Sequence, residues 1–165
     1  ALWGTSLAGG HVLLAAEALG GSVRAVVSQC PSLDGKENLK YNFETKGPFL
    51  ILRSVIAAVT DAMRGLLGLS AAYIPAVDVA PNFAVLILSE AEQQSYFAKH
   101  PINSRPPAPY LGGWENRVPA RFILTFSKFR PITAVPHIEC PILYVQPSWD
   151  SVVPNHLIPV AAQAS

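Results

Sequence analysis

The opening stretch constrains this chain more than any other. An apolar stub, Ala1-Leu2-Trp3, runs directly into the small-residue turn Gly4-Thr5-Ser6-Leu7-Ala8-Gly9-Gly10. Val12, Leu13, Ala16 and Leu19 then recur at the spacing of one helix face, and Gly20-Gly21 ends the pattern. Val23–Ser28 follows, rich in β-branched residues and short enough for a strand buried on both faces. Strand, tight turn, helix, strand is the grammar of a doubly wound α/β sheet, and an all-helical or all-β chain would not be written this way.

The same texture returns at the end of the sequence. Pro141–Gln146 reads as a compact apolar strand, and Pro147–Val153 as a loop carrying Asp150. Pro154 stands where a helix begins, so Asn155–Gln163 is expected to continue as helix. The middle differs. Pro48 to about Leu67 carries Phe49, Leu52, Ile56, Val59 and Met63 on one side, with Asp61 and Arg64 as an i, i+3 charge pair. Tyr73–Leu88 is proline-punctuated and suits short extended pieces. Ser89-Glu90-Ala91-Glu92 reads as a capping box for a helix to about Lys99, Pro106–Pro109 as a stiff loop, and Asn116–Lys128 as a further helix. The expected organisation is therefore a core segment over 1–34, a mainly helical insertion over 35–138, and a return to the core over 139–165.

Composition removes several functions. Charged residues make up only 14% of the 165 residues, the net charge is +1, and no Lys/Arg stripe appears, so a nucleic-acid partner is not expected. Half of the residues are hydrophobic, yet no charge-free run reaches the ~20 apolar residues that a spanning helix needs, so no membrane span is expected. Cys30 and Cys140 stand apart, each before a proline, which fits buried free thiols rather than a metal or redox site.

Gly4-Thr5-Ser6-Leu7-Ala8 matches G-x-S-x-G in all but its last position. Such a turn forces a serine into a strained strand-to-helix corner, where only small residues two places away avoid collision. Gly4 and Ala8 are both small. The corner presents the Ser6 hydroxyl at a helix N-terminus, where the Leu7 N–H is free to stabilise a developing oxyanion.

With these residues in place, the chain resembles part of an α/β-hydrolase, in the group that includes dienelactone-hydrolase-like and serine-aminopeptidase-like members. The resemblance rests on LWGTSLAGGHVLLAA, WENRVPARF and CPILYVQPSWDSVVP. It implies a partial doubly wound parallel sheet with an inserted, mainly helical cap. It implies Ser6 as nucleophile, Leu7 as an oxyanion-hole donor and Asp150 as the acid of a triad. Ala8, in place of the second glycine, is the chief departure.

Asp34 rivals Asp150, because some members carry the acid after the preceding strand. The fold's chain order puts the histidine after the acid. His156 alone follows Asp150, only six residues on and on an expected helix; His11, His100 and His137 are no better placed. The resemblance therefore implies that the catalytic histidine and the earlier strands lie outside this chain. The expected activity is hydrolysis of an ester, amide or related acyl bond in a small, apolar acyl substrate, with no metal or organic cofactor. The alternative is a binding module that keeps the fold without turnover.

Overall fold

The computed structural model of the protein describes residues 1–79, 82–89, 115–148 and 150–165. It divides into two compact units, one formed by Ala1–Gly47 with Thr125–Ser165 and one by Pro48–Leu124.

The first unit is built on a three-stranded parallel sheet in the order β1-β2-β7. β1 (Leu2–Thr5) pairs with β2 (Val26–Gln29), and β2 pairs with β7 (Ile142–Val145). The rungs Leu2↔Val26↔Ile142 and Gly4↔Ser28↔Tyr144 face one side of the sheet. There Leu2, Val26 and Ile142 join Leu13 and Ala16 of helix α1 (Leu7–Leu19), together with Leu33, Val135, Ile158 and Ala161, in one core. The alternate rung Trp3↔Val27↔Leu143 faces the other side, where Trp3 is 65% and Leu143 59% exposed.

Helix α1 sits close against β2 and the loops beyond the sheet: a side chain at Gly9 would press on the Gln29 carbonyl. A side chain at Gly10 would collide with the Ser32 carbonyl and with the rings of Phe129 and Pro131. The buried Ser28 hydroxyl uses this proximity, donating to the Gly9 carbonyl at 2.9 Å.

Helix α2 (Gly35–Lys46) was not visible as a helix in the sequence. Asp34 caps it, accepting from the N–H groups of Lys36 (2.8 Å) and Glu37 (3.4 Å). The expected insertion begins at 35 and ends at 138, whereas the compact second unit runs from Pro48 to Leu124. The flanking stretches are tied into the first unit: the Gly35 N–H donates to Phe129 O at 2.7 Å, Ile132 N–H to Leu33 O at 2.9 Å, and Arg130 Nε to Asp34 Oδ2 at 2.8 Å. Helix α5 (Leu157–Ala164) starts three residues past Pro154, after a turn in which Leu157 N–H donates to Pro154 O.

In the second unit, helix α3 (Pro48–Leu66) confirms the helical periodicity of that segment. Asp61 is fully buried on its inner face. The expected Asp61–Arg64 pair does not form. Asp61 instead accepts from Arg121 Nε (2.8 Å), Arg121 Nη2 (2.9 Å), Arg121 N (2.8 Å) and Ala72 N (2.7 Å), while Arg64 donates to Ser70 O at 2.9 Å.

The same clasp explains why Asn116–Lys128 is not one helix. Val118–Pro119 forms strand β6, antiparallel to β3 (Tyr73–Ile74). A 3₁₀ turn over Ala120–Phe122 and the short α4 (Ile123–Phe126) follow. Long-range pairing to Ile74 and Asp61 outweighs the local helical pattern. β4 (Val77–Val79) and β5 (Leu86–Leu88) make a second strand pair. The helix expected from Ser89 to Lys99 and the loop Pro106–Pro109 lie outside the described residues, apart from Ser89 itself. No helix among the described residues is long and apolar enough to cross a membrane.

Candidate active site

Parallel strands point their carboxyl ends the same way, so whatever follows β1, β2 and β7 gathers along one edge of the sheet. Three residues of interest leave the strands there: Ser6 after β1, Cys30 after β2 and Asp150 in the loop after β7.

Ser6 stands between β1 and α1 with φ 55° and ψ −123°. Positive φ is uncommon outside glycine and costs about 1–3 kcal/mol unless the surroundings hold it. Here they do. The Ser6 N–H donates to Gln29 O at 2.9 Å, and its carbonyl accepts from Ser32 N–H at 3.1 Å. A side chain at Gly4 would strike the Ala8 carbonyl, so the corner demands glycine on its strand side. On its helix side Ala8 is exposed, and its methyl group has room; this is why alanine is tolerated where the motif has glycine.

A serine at a helix N-cap ordinarily turns its hydroxyl inward to bond a first-turn N–H. Ser6 makes no such bond, its residue is exposed, and its hydroxyl has no hydrogen-bond partner among the described residues. The strained backbone thus delivers a free hydroxyl to solvent beside the start of α1. The N–H of Leu7, first residue of that helix, has no intrahelical acceptor.

Asp150 is half-buried. Its Oδ1 accepts from the N–H groups of Val152 (2.8 Å) and Val153 (2.9 Å), which fixes the carboxylate on its own loop and leaves Oδ2 without a partner among the described residues. The loop is anchored by Tyr41 Oη donating to Asp150 O at 3.2 Å and by Asn155 Nδ2 donating to Pro147 O at 3.1 Å. Asp34 is in a different condition. It is buried and committed on both oxygens, Oδ1 to the α2 cap and Oδ2 to Arg130.

No histidine is hydrogen-bonded to Ser6 or Asp150 among the described residues. His11 Nδ1 bonds the Leu7 carbonyl at 2.8 Å, and its ring packs on Phe129 at 4.7 Å. His137 closes a 3₁₀ turn, His156 is exposed just before α5, and His100 lies outside the described residues.

Cys30 and Cys140 are free thiols, half-buried rather than buried as expected. Burial pushes the Cys30 thiol above its ordinary pKa, and the charge of Asp150 adds to the effect. Cys30 was read from the sequence only as a core thiol. Its position at the strand end was the overlooked signal.

A parallel sheet with a left-handed serine at its first strand-to-helix corner and an aspartate in the loop after its last strand places the chain in the α/β-hydrolase fold. No protein-family model matches the sequence. The quorum-quenching protein AidA of Acinetobacter baumannii (strain MDR-ZJ06) is 31% identical over 155 residues, which cover 93% of this chain and 46% of AidA. Two solved structures share the fold. The α/β-hydrolase GrgF from Penicillium sp. sh18 superposes with a TM-score of 0.65 at 19% identity, over 98% of this chain and 50% of GrgF. DcsB, solved in complex with its substrate analogue, superposes with a TM-score of 0.64 at 17% identity, over 98% of this chain and 50% of DcsB. The chain thus spans about half the length of the relatives it matches.

Proposed function

We propose that this chain supplies the nucleophile and the acid of a serine hydrolase acting on an ester, amide or related acyl bond. The observation that carries the reading is Ser6: a serine held at positive φ on a strand-to-helix corner, with its hydroxyl exposed and not spent on capping. In the proposed reaction Ser6 Oγ attacks the acyl carbon and gives its proton to a histidine contributed from outside the described residues. The Leu7 N–H stabilises the oxyanion. Collapse expels the leaving group with that proton, and water then releases the acyl group from Ser6. Asp150 orients the histidine through Oδ2, since Oδ1 is already held by the loop.

The name of AidA supports a quorum-quenching role, in which the substrate is a small signalling compound. The test is labelling of the full-length protein by a fluorophosphonate. Ser6→Ala abolishes labelling, and Asp150→Asn slows it by about 10³–10⁴-fold with folding intact. A wild-type protein that folds but does not label would refute the hydrolase reading and favour a binding module.

A further inference from the structure

Ser6 and Cys30 follow directly on the last rung of the β1–β2 ladder. Thr5 pairs with Gln29 at the end of the β1–β2 ladder, so the next residues, Ser6 and Cys30, leave the two strands side by side. They leave in the same way. Among the described residues these two are the non-glycine positions with positive φ, 55° at Ser6 and 45° at Cys30. Each also donates its N–H to the last paired residue of the next strand, Ser6 to Gln29 O at 2.9 Å and Cys30 to Val145 O at 2.8 Å. Both residues thus leave the carboxyl edge from adjacent strands, each at positive φ.

At Cys30 this conformation is opposed twice. Left-handed backbone disfavours any side chain, and a residue before proline, here Pro31, is pushed towards extended conformations. Glycine would remove the first penalty, yet a side chain stands there. Adjacent strands lie about 4.8 Å apart, so Ser6 and Cys30 leave the sheet as neighbours. On the other side of β2 stands β7 with Asp150, whose charge acts on the thiol.

We propose that Cys30 is a specificity-determining residue of the Ser6 site: its side chain forms the wall between Ser6 and Asp150, and its size limits the group that fits beside the Ser6 hydroxyl. The proposal rests on the reading of Ser6 as the nucleophile. Cys140 provides an internal control, because it precedes β7 and so lies at the opposite, amino end of the sheet.

The experiment compares labelling rates of the full-length protein with two fluorophosphonates, one bearing a methyl group and one a branched alkyl group. Cys30→Ala raises the rate with the branched probe about tenfold relative to the methyl probe, and Cys30→Met lowers it, whereas Cys140→Ala leaves the ratio unchanged. A loss of packing alone would not shift this ratio between probes. A parallel measurement needs no substitution: N-ethylmaleimide attached to Cys30, located by peptide mass spectrometry, blocks labelling at Ser6. If the wild-type protein labels at Ser6 but the ratio does not move in Cys30→Ala, or if the maleimide adduct leaves labelling intact, the role of Cys30 falls and that of Ser6 stands. If the wild-type protein does not label at Ser6, both fall.

Discussion

Replacing Asp34 separates its two attachments, and the structure says how large each is. One oxygen caps α2, bonding Lys36 and Glu37 N–H groups; the other receives Arg130 Nε at 2.8 Å. Losing a capping side chain costs about 1 kcal/mol. A hydrogen bond to a charged group contributes about 1.5–3 kcal/mol, but the Arg130 side chain is 42% exposed, so water replaces much of it and about 1 kcal/mol is the appropriate share. Asp34→Ala loses both, about 2 kcal/mol. Asp34→Asn keeps a good cap and loses only the charge, about 1 kcal/mol. Urea unfolding followed by tryptophan fluorescence resolves this. With a slope of about 2 kcal/mol/M, the midpoint falls by about 1 M for alanine and about half of that for asparagine. Fluorophosphonate labelling at Ser6, measured below the transition, stays within a few-fold of wild type in both. Unchanged stability in Asp34→Asn with labelling slowed a thousandfold would refute the reasoning and transfer the role of acid from Asp150 to Asp34.

Tyr144 projects to the core side of the sheet with its hydroxyl buried and without a hydrogen-bond partner among the described residues, and burial pushes its pKa up to about 12. The unfolded chain ionises near pH 10 while the folded one keeps its proton, so the stability is full below about pH 10 and is lost as pH rises through 12. Tyr144→Phe should raise the denaturation midpoint at neutral pH and flatten this alkaline decline, as pH-dependent unfolding of the pair would show. At the other end of the scale, hydrogen bonds from Arg121 hold the Asp61 carboxyl well below the usual range, against the opposing effect of burial. Stability from Asp61 is therefore present above about pH 4 and lost as pH falls below it. Asp61→Asn should lower the thermal midpoint at pH 7 and reduce the acid sensitivity, read by calorimetry at pH 7 and pH 3.

The parts of the fold legible in the sequence are those fixed within a few residues. β1, α1 and β2 announce themselves by a stub, a helical period and a β-branched run; β1 and β2 form within about three residues of their expected bounds, and α1 begins at Leu7, inside the stretch expected as a turn. The corner at Ser6 was legible for the same reason, because Gly4, Gln29 and Ser32, which hold it, all lie in or just after the opening strand–helix–strand unit. Misreadings occur where a distant partner decides. Asp61 has Arg64 one turn away, yet bonds Arg121, sixty positions on, and that bond also breaks the helix expected over Asn116–Lys128. Helix α2 was missed because its residues are mostly polar and give no apolar period. Asp34 followed three places on by Glu37, with Gly47 at the far end, was the available signal, but Asp34 had been weighed only as an acid. The general base was not legible in the sequence, and none of the histidines described in the structure takes its place.

The β1-β2-β7 order also has a consequence in time. Leu2↔Val26 joins positions within one local strand–helix–strand unit, whereas Val26↔Ile142 joins positions more than a hundred residues apart. Closing the longer loop costs about 1.4 kcal/mol more in chain entropy, unless the Pro48–Leu124 unit has condensed and shortened it. Contacts of long sequence span are the slow ones to form. The corner at Ser6 rests mainly on the early, local contacts with Gln29 and Ser32, while the loop bearing Asp150 arrives only with the last strand. The serine corner thus depends on contacts of short sequence span and the aspartate on one of long span, so the expected order of assembly is serine first and aspartate last.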